Sequence, residues 1–110
     1  MKTARAELEE ILTKMMVGKG GKGARKDLGG GYEIGFWENT DRDTHKTHPY
    51  MMSLSLTGKG ESFMYLTKED VFTKTKATWI RDSVWRLTPA AITRIVDSVL
   101  SVMDRDPRNV

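Results

Sequence analysis

One stretch of the chain decides the fold: Pro49-Tyr50-Met51-Met52-Ser53-Leu54-Ser55-Leu56-Thr57-Gly58-Lys59-Gly60-Glu61-Ser62-Phe63-Met64-Tyr65-Leu66-Thr67. Apolar and polar residues alternate on both sides of the glycine-rich centre. Two alternating runs joined by a short glycine-containing connection are typical of an antiparallel β-hairpin. The rest of the domain is therefore expected to be built on this hairpin.

The hairpin has two chemically different faces, because side chains alternate between the two sides of a strand. A three-residue loop Gly58-Lys59-Gly60 places Leu54 opposite Met64. The same register places Leu56 opposite Ser62 and Met52 opposite Leu66. The face predicted to join the core carries Met52, Leu54, Leu56, Met64 and Leu66. The other face carries Met51, Ser53, Ser55, Thr57, Glu61, Phe63, Tyr65 and Thr67.

Three further elements flank the hairpin. Tyr32 to Glu38 alternates as a strand that presents Ile34 and Phe36 to the core and Trp37 to the other side. Each end of the chain has the helical spacing of one apolar stripe. The N-terminal helix can be capped by Thr3 and ends by Gly18, and the C-terminal helix begins at Thr88-Pro89. The N-terminal stripe is Leu8, Ile11, Leu12, Met15 and Met16; the C-terminal stripe is Ile92, Ile95, Val96, Val99, Leu100 and Met103.

The stretch between the hairpin and the last helix is ambiguous. Residues 67–72 fit a short helix capped by Thr67 or a loop. Residues 73–87 fit one strand, a hairpin that turns at Arg81-Asp82-Ser83, or a helix. The β-branched and aromatic residues favour the single strand.

Together these elements predict an α+β domain. It has an antiparallel sheet of three to four strands, and the N-terminal and C-terminal helices pack on one face of that sheet. A chain of 110 residues with 38% hydrophobic and 30% charged residues is expected to form a single domain, 1–110.

Residues 18–31 are predicted to form a flexible loop, since half of them are glycine. The net charge of +3 is concentrated here, because four basic residues accompany one acidic residue. The loop is either a simple connector or an arm that contacts nucleic-acid phosphates. A Walker-type phosphate loop is disfavoured, because no Gly-Lys pair precedes Ser or Thr. The basic residues are Lys19, Lys22, Arg25 and Lys26.

The face of the sheet away from the helices is predicted to carry aromatic residues. Trp37, Phe63 and Tyr65 belong to it, Trp79, Trp85 and Arg81 join it if 73–87 is one strand, and Gly35, Ser53 and Ser55 lie between the rings. Exposed clustered aromatics usually mark a binding surface.

We expect single-stranded DNA or RNA to stack on this face while the basic loop contacts phosphates. The expected nucleic-acid-binding residues are Lys19, Lys22, Arg25, Lys26, Trp37, Phe63, Tyr65 and Arg81. The alternative is a small non-enzymatic protein-binding module, an inhibitor or adaptor that docks on a larger host or cellular protein, or forms a homodimer. A third possibility is that the segment Lys68 to Lys76 covers this face, or that the predicted register of the hairpin is wrong.

An enzyme is the least supported class, because no nucleophile elbow, cysteine nucleophile or paired carboxylates are found. No cofactor is expected. The only histidines, His45 and His48, lie near Asp41 and Asp43 in a polar connection, a weak basis for a metal site. The chain contains no cysteine and no apolar run of transmembrane length, and it starts with no signal peptide. A cytoplasmic location is therefore expected.

Overall fold

The computed structural model describes residues 5–18, 23–75 and 83–106. It confirms the α+β class, with one helix near each end of the described chain. The elements in order are α1 (Arg5–Lys14), β1 (Met16–Val17), β2 (Ala24–Gly29), β3 (Tyr32–Glu38), β4 (Tyr50–Leu56), β5 (Gly60–Leu66), a 3-10 turn (Lys68–Asp70), β6 (Val71–Thr75), β7 (Ser83–Leu87) and α2 (Pro89–Asp104).

The strands form two antiparallel sheets. The four-stranded sheet has the order β2-β3-β4-β5, so each strand pairs with its neighbour in sequence. It contains the predicted hairpin and the predicted strand Tyr32–Glu38, whose bounds are confirmed. The prediction of one sheet is incomplete, because a second sheet has three strands in the order β1-β7-β6.

The predicted register of the central hairpin is wrong by two residues. Met52 lies opposite Met64, Leu54 opposite Ser62 and Leu56 opposite Gly60. The cause is the turn, whose three residues are Thr57-Gly58-Lys59, one residue earlier than expected, and moving the turn by one residue changes each pairing partner by two. The Lys59 N–H donates to the Leu56 carbonyl at 2.9 Å, and Gly58 has φ +79° at the third position, as a type II turn requires.

A shift of two residues leaves every side chain on its predicted face. Met52, Leu54 and Leu66 are buried as predicted, whereas Leu56 and Met64 are only half-buried. The core-side face of the sheet is therefore correctly assigned. The part of this face on β5, the last strand, is the least buried.

The prediction of a loop over residues 18–31 is wrong for 24–29, which form β2 and pair with β3. A two-residue connection, Gly30-Gly31, joins the two strands, and both glycines have positive φ, +62° and +87°. This backbone shape matches the twist of paired strands and is the usual reason for adjacent glycines in a hairpin. Lys19 and Lys22 lie outside the described residues.

The prediction of a single strand over residues 73–87 is also wrong. β6 and β7 pair antiparallel, with Val71 opposite Leu87 and Thr75 opposite Ser83. This is a hairpin, but not one that turns at Arg81-Asp82-Ser83, because Ser83 already belongs to β7. Arg81 and Asp82 of the suggested turn lie outside the described residues. Before β6, the 3-10 turn Lys68–Asp70 follows Thr67, which agrees with the short-helix alternative.

Both helices bury their apolar stripes in one core. Leu8 and Leu12 of α1 are fully buried, but the helix ends at Lys14, and Met16 lies exposed in β1. α2 begins as predicted, with the Thr88 hydroxyl accepting a hydrogen bond from the Ala91 N–H at 3.3 Å. The α2 residues in the core are Ala91, Ile92, Ile95, Val96, Val99 and Met103; the sheet contributes chiefly Tyr32, Ile34, Phe36, Met52, Leu54 and Leu66.

Asp70 joins the end of the four-stranded sheet to α2. The residue is 6% exposed, and its side chain accepts hydrogen bonds from the Thr67 N–H at 2.8 Å and from the Arg94 guanidinium at 2.8 Å. Its backbone carbonyl accepts bonds from the Thr88 N–H and hydroxyl, at 2.9 and 3.1 Å. The Arg94 guanidinium is the largest cause that holds the pKa of the Asp70 carboxyl below its usual value.

Candidate functional site

The face of the four-stranded sheet that points away from the helices is called the outer face here. The observed register arranges its side chains in three rows across the strands. The first row is Trp37, Met51 and Tyr65; the second is Arg25, Gly35, Ser53 and Phe63; the third is Asp27, Glu33, Ser55 and Glu61. Aromatic, mixed and acidic rows therefore follow one another along the strands.

The indole of Trp37 lies flat against the backbone of the outer face. A Cβ atom placed on Gly35 would be 2.4 Å from Trp37 Nε1, and one placed on Gly23 would be 2.0 Å from Trp37 Cε3. Only glycine leaves room for the ring at these two positions. The indole N–H donates to Ser53 Oγ at 3.0 Å, so the ring has a fixed orientation.

Arg25 covers the Trp37 ring from the neighbouring strand. Its guanidinium carbon lies 4.8 Å from the ring centroid, within the range of a cation–π interaction. Trp37 is consequently half-buried, and its predicted role as an open stacking surface is not supported by this geometry. The ring instead holds the Arg25 guanidinium in place on the outer face.

Replacing Gly35 by alanine should expel the Trp37 indole, because the new methyl group needs the space that the ring occupies. We expect the loss of the bond to Ser53 and a decrease of about 1–2 kcal/mol in the free energy of unfolding. The NMR resonance of the Trp37 indole N–H should shift toward that of a water-exposed indole. Gly18→Ala is the matched control, since a Cβ there meets no atom within 4 Å. An unmoved Trp37 resonance in Gly35→Ala would contradict this account.

Phe63 and Tyr65 are the open aromatic side chains of the outer face. They are 49% and 46% exposed, and both belong to β5. Residues two apart on a strand lie about 6.8 Å from each other on the same side. The His48 ring meets Tyr65 edge-on, with 6.4 Å between ring centroids. The two rings thus form a short exposed aromatic strip at the edge of the sheet.

The acidic row limits where an anion can bind. Asp27, Glu33 and Glu61 are carried by three different strands at one end of the outer face. Arg25 lies in the next row and approaches Glu33, with 3.7 Å between Nη1 and Oε1. Both side chains are largely exposed, so this ion pair is worth less than about 1 kcal/mol and can be exchanged for another partner.

The described residues bring four of the eight predicted site residues onto one face or its edge: Arg25, Trp37, Phe63 and Tyr65. Lys26 follows Arg25 on β2, so strand alternation directs it to the opposite side of the sheet. Lys19, Lys22 and Arg81 lie outside the described residues, as does Trp79. Trp85 belongs to the second sheet and packs near Tyr50, with 6.2 Å between ring centroids.

The connection between β3 and β4, which carries both histidines, is held by its own hydrogen bonds. The Asn39 amide donates to Thr44 Oγ1 at 2.9 Å and to the His48 carbonyl at 2.8 Å. The hydroxyl and the N–H of Thr44 donate to Asp41, and the hydroxyl bond is the largest cause that lowers the Asp41 pKa. Across residues 5–18, 23–75 and 83–106, no group of three His, Cys, Asp or Glu side chains is placed to hold a metal ion.

Comparison with protein-family models, with curated protein sequences and with solved structures finds no match to this chain. Within the described part of the chain, neither helix has the length and apolar character needed to cross a membrane.

Proposed function

We propose that this protein binds single-stranded nucleic acid on the outer face. The observation that carries the proposal is the pair of exposed rings, Phe63 and Tyr65, two residues apart on one side of β5. Sheets with exposed aromatic side chains are an established surface on which proteins stack two or three unpaired bases. Stacking requires only the π-face of a base, so it suits binding with little sequence preference.

Arg25 supplies the phosphate contact in this proposal. Trp37 and the glycines beneath it fix the guanidinium on the outer face, and the exposed Glu33 releases it at small cost. Lys19 and Lys22 precede β2 in sequence and add positive charge to the same segment. The acidic row repels phosphates, so the bound nucleic acid should lie along the first two rows, away from Glu61.

Three substitutions test the outer face with a fluorescent single-stranded oligothymidine. Phe63→Ala and Tyr65→Ala should each weaken binding by about 1–3 kcal/mol, a factor of roughly 5 to 150. Glu61→Gln should strengthen binding, because it removes a negative charge beside the path of the phosphates. Failure of the wild type to bind at low salt, or unchanged affinity in both aromatic variants, would overturn the proposal.

Salt dependence separates the two neighbouring basic residues. Arg25→Ala should reduce the slope of log K against log salt by about 0.7, the value for one phosphate contact on a single strand. Lys26→Ala is the matched control and should change the slope less, since Lys26 faces the other side of the sheet. Removing Lys19, Lys22, Arg25 and Lys26 together should flatten the dependence further. Equal effects of Arg25→Ala and Lys26→Ala would contradict an outer-face site.

The alternative function, a small protein-binding module such as an inhibitor or adaptor, is favoured by the acidic row. Exposed rings bordered by Asp27, Glu33 and Glu61 would also suit a basic surface on a larger protein. A pull-down from nuclease-treated lysate discriminates between the two. A stoichiometric protein partner that survives nuclease and is lost in Tyr65→Ala would favour the module. In either function the protein is proposed to act without catalysis or a cofactor, and in the cytoplasm.

A further inference from the structure

The two edges of the four-stranded sheet are built differently. β2 carries Arg25, Lys26 and Asp27 in succession and has an irregular register between Asp27 and Gly29. Charges and bulges are the usual devices that stop an edge strand from pairing with another chain. β5 has neither a lysine, a proline nor a register shift, and its last four residues are Phe63-Met64-Tyr65-Leu66. In the described chain no strand pairs with the outer side of β5.

The hydrogen bonds between β3 and β4 determine which backbone N–H and C=O groups of β5 point away from the sheet. The Thr57 N–H donates to Gly31 at 3.0 Å, and the Asn39 N–H donates to Pro49 at 2.8 Å. The backbone N–H and C=O groups of odd-numbered residues along β4 therefore form hydrogen bonds with β3. Since bonds alternate along an antiparallel strand, even-numbered positions bond toward β5. Glu61, Phe63 and Tyr65 consequently direct their N–H and C=O groups away from the sheet.

We infer that a second copy of this chain pairs antiparallel with β5, about a two-fold axis through Phe63. Both strands then overlap along all their residues, Gly60 to Leu66. Phe63 lies opposite Phe63 of the second copy, and Glu61 lies opposite Tyr65. These are the positions with outward-pointing backbone groups, so the hydrogen bonds of a continuous eight-stranded sheet can form. The contact is the same for both copies and closes on itself as a dimer.

The side chains of β5 complement one another in this register. On the core side, Gly60 faces Leu66 of the second copy, and Ser62 faces Met64, so a small residue meets a large one in each pair. On the outer side, the one charged residue of the strand, Glu61, meets an uncharged tyrosine. Like charges would be destabilising directly across a strand pair, and here none meet. A strand that is self-complementary in both size and charge favours its own copy over an unrelated peptide.

The space beside β5 also fits a second copy. Two grooves, of about 350 and 420 Å³, separate β5 from α2, and Met64 lines both. The first is also lined by the apolar Leu54 and Val102 and by polar residues that include Ser62, Asp97 and Arg105. Met64 of the second copy, opposite Ser62, would lie at the mouth of this groove, near Leu54 and Val102. The inference concerns the edge of the sheet and does not depend on nucleic-acid binding.

The molecular mass in solution tests the dimer. Light scattering after gel filtration should give twice the chain mass for the wild type at high concentration. Tyr65→Pro should give the monomer mass, because it removes an outward N–H without removing a bond to β4. Tyr65→Ala is the matched control, since it removes the same ring but keeps the N–H, and should dimerise more than Tyr65→Pro. A monomeric wild type at every concentration would overturn the inference.

The absence of cysteine allows the register to be tested by disulfide formation. Phe63→Cys should cross-link to itself, because the two-fold axis brings the two Cα atoms within bridging distance. Glu61→Cys alone should not cross-link, whereas a mixture of Glu61→Cys and Tyr65→Cys should. Efficient self-cross-linking of Glu61→Cys with none in Phe63→Cys would overturn the register.

If Tyr65→Pro fails to fold, amide hydrogen exchange of the wild type tests whether two copies pair through β5. The amides of Phe63 and Tyr65 should be protected in concentrated protein and exchange rapidly on dilution. The amides of Ser62 and Met64, which bond to β4, should stay protected at both concentrations. Rapid exchange of Phe63 and Tyr65 in a concentrated dimeric sample would show that the copies meet elsewhere and would overturn the inference.

Discussion

Replacing Phe36 by alanine is expected to lower the free energy of unfolding by about 3–5 kcal/mol. Phe36 is fully buried at the centre of the four-stranded sheet, with its ring 6.1 Å from that of Tyr50. The truncation removes the transfer free energy of the ring and leaves a cavity that the surrounding strands can only partly close. Since a domain of this size is stable by about 5–15 kcal/mol, much of its stability would be lost.

Phe63→Ala is the matched control for Phe36→Ala. It removes the same side chain from the same sheet, but from a position that is 49% exposed. We expect a cost below about 1 kcal/mol, as for other surface substitutions. Urea melts measure the free energy of unfolding of both variants. The protein concentration should be too low for the proposed β5 dimer to form. Equal costs would mean that the outer face is buried, which would remove the proposed binding surface.

The second large effect is expected at Asp70. Alanine at this position deprives the Thr67 N–H and the Arg94 guanidinium of their acceptor, at a cost of about 2–3 kcal/mol. Two elements are affected together, because the Asp70 side chain joins the end of β5 to α2. A urea melt of Asp70→Ala at neutral pH measures the cost. A loss below about 0.5 kcal/mol would contradict the assigned role, since that is the usual range for surface changes.

The Asp70 carboxyl also makes stability depend on pH in a defined direction. Its pKa in the folded state is lowered, chiefly by the bond from Arg94, so the unfolded chain takes up a proton first as the pH falls. Its contribution is complete above the pKa of the unfolded chain, about 3.9, and disappears as the pH falls through the folded value. Asp70→Asn should therefore show a smaller acid destabilisation than the wild type. The lowered pKa values of Asp41 and Glu10 should keep part of the dependence in both proteins.

Local patterns were sufficient to predict the strongest elements. The alternation in Tyr32–Glu38 and the Thr88-Pro89 start of α2 are both confirmed, because each depends on a few neighbouring residues. The faces of the central hairpin are also confirmed, since they depend only on odd or even position. Its register is not, because Gly58 and Gly60 each allow a turn with positive φ, and sequence alone does not choose between them.

The sequence did not predict β1, whose pairing partner is far away in sequence, or β2, whose residue types are those of a linker. β1 has two residues and pairs with β7, far along the chain. β2 is charged and bordered by glycines, so its composition resembles a linker although β3 holds it in place. The contact of Arg25 with Trp37 was missed for the same reason, as it exists only once β2 pairs with β3. Gly35, two residues before Trp37 on the same side, was the available sign that a large ring lies on the backbone.

The topology of the two sheets has a consequence for the order of folding. β2 to β5 form hairpins between neighbours in sequence, and closing short loops costs little chain entropy. The second sheet, by contrast, joins Met16 to Arg86 and so requires closure of a very long loop. Contacts between residues so far apart in sequence slow folding, because the chain loses the entropy of loop closure before the contacts form and stabilise it. The four-stranded sheet is thus positioned to nucleate the fold, with β1 docking onto β7 as a late step.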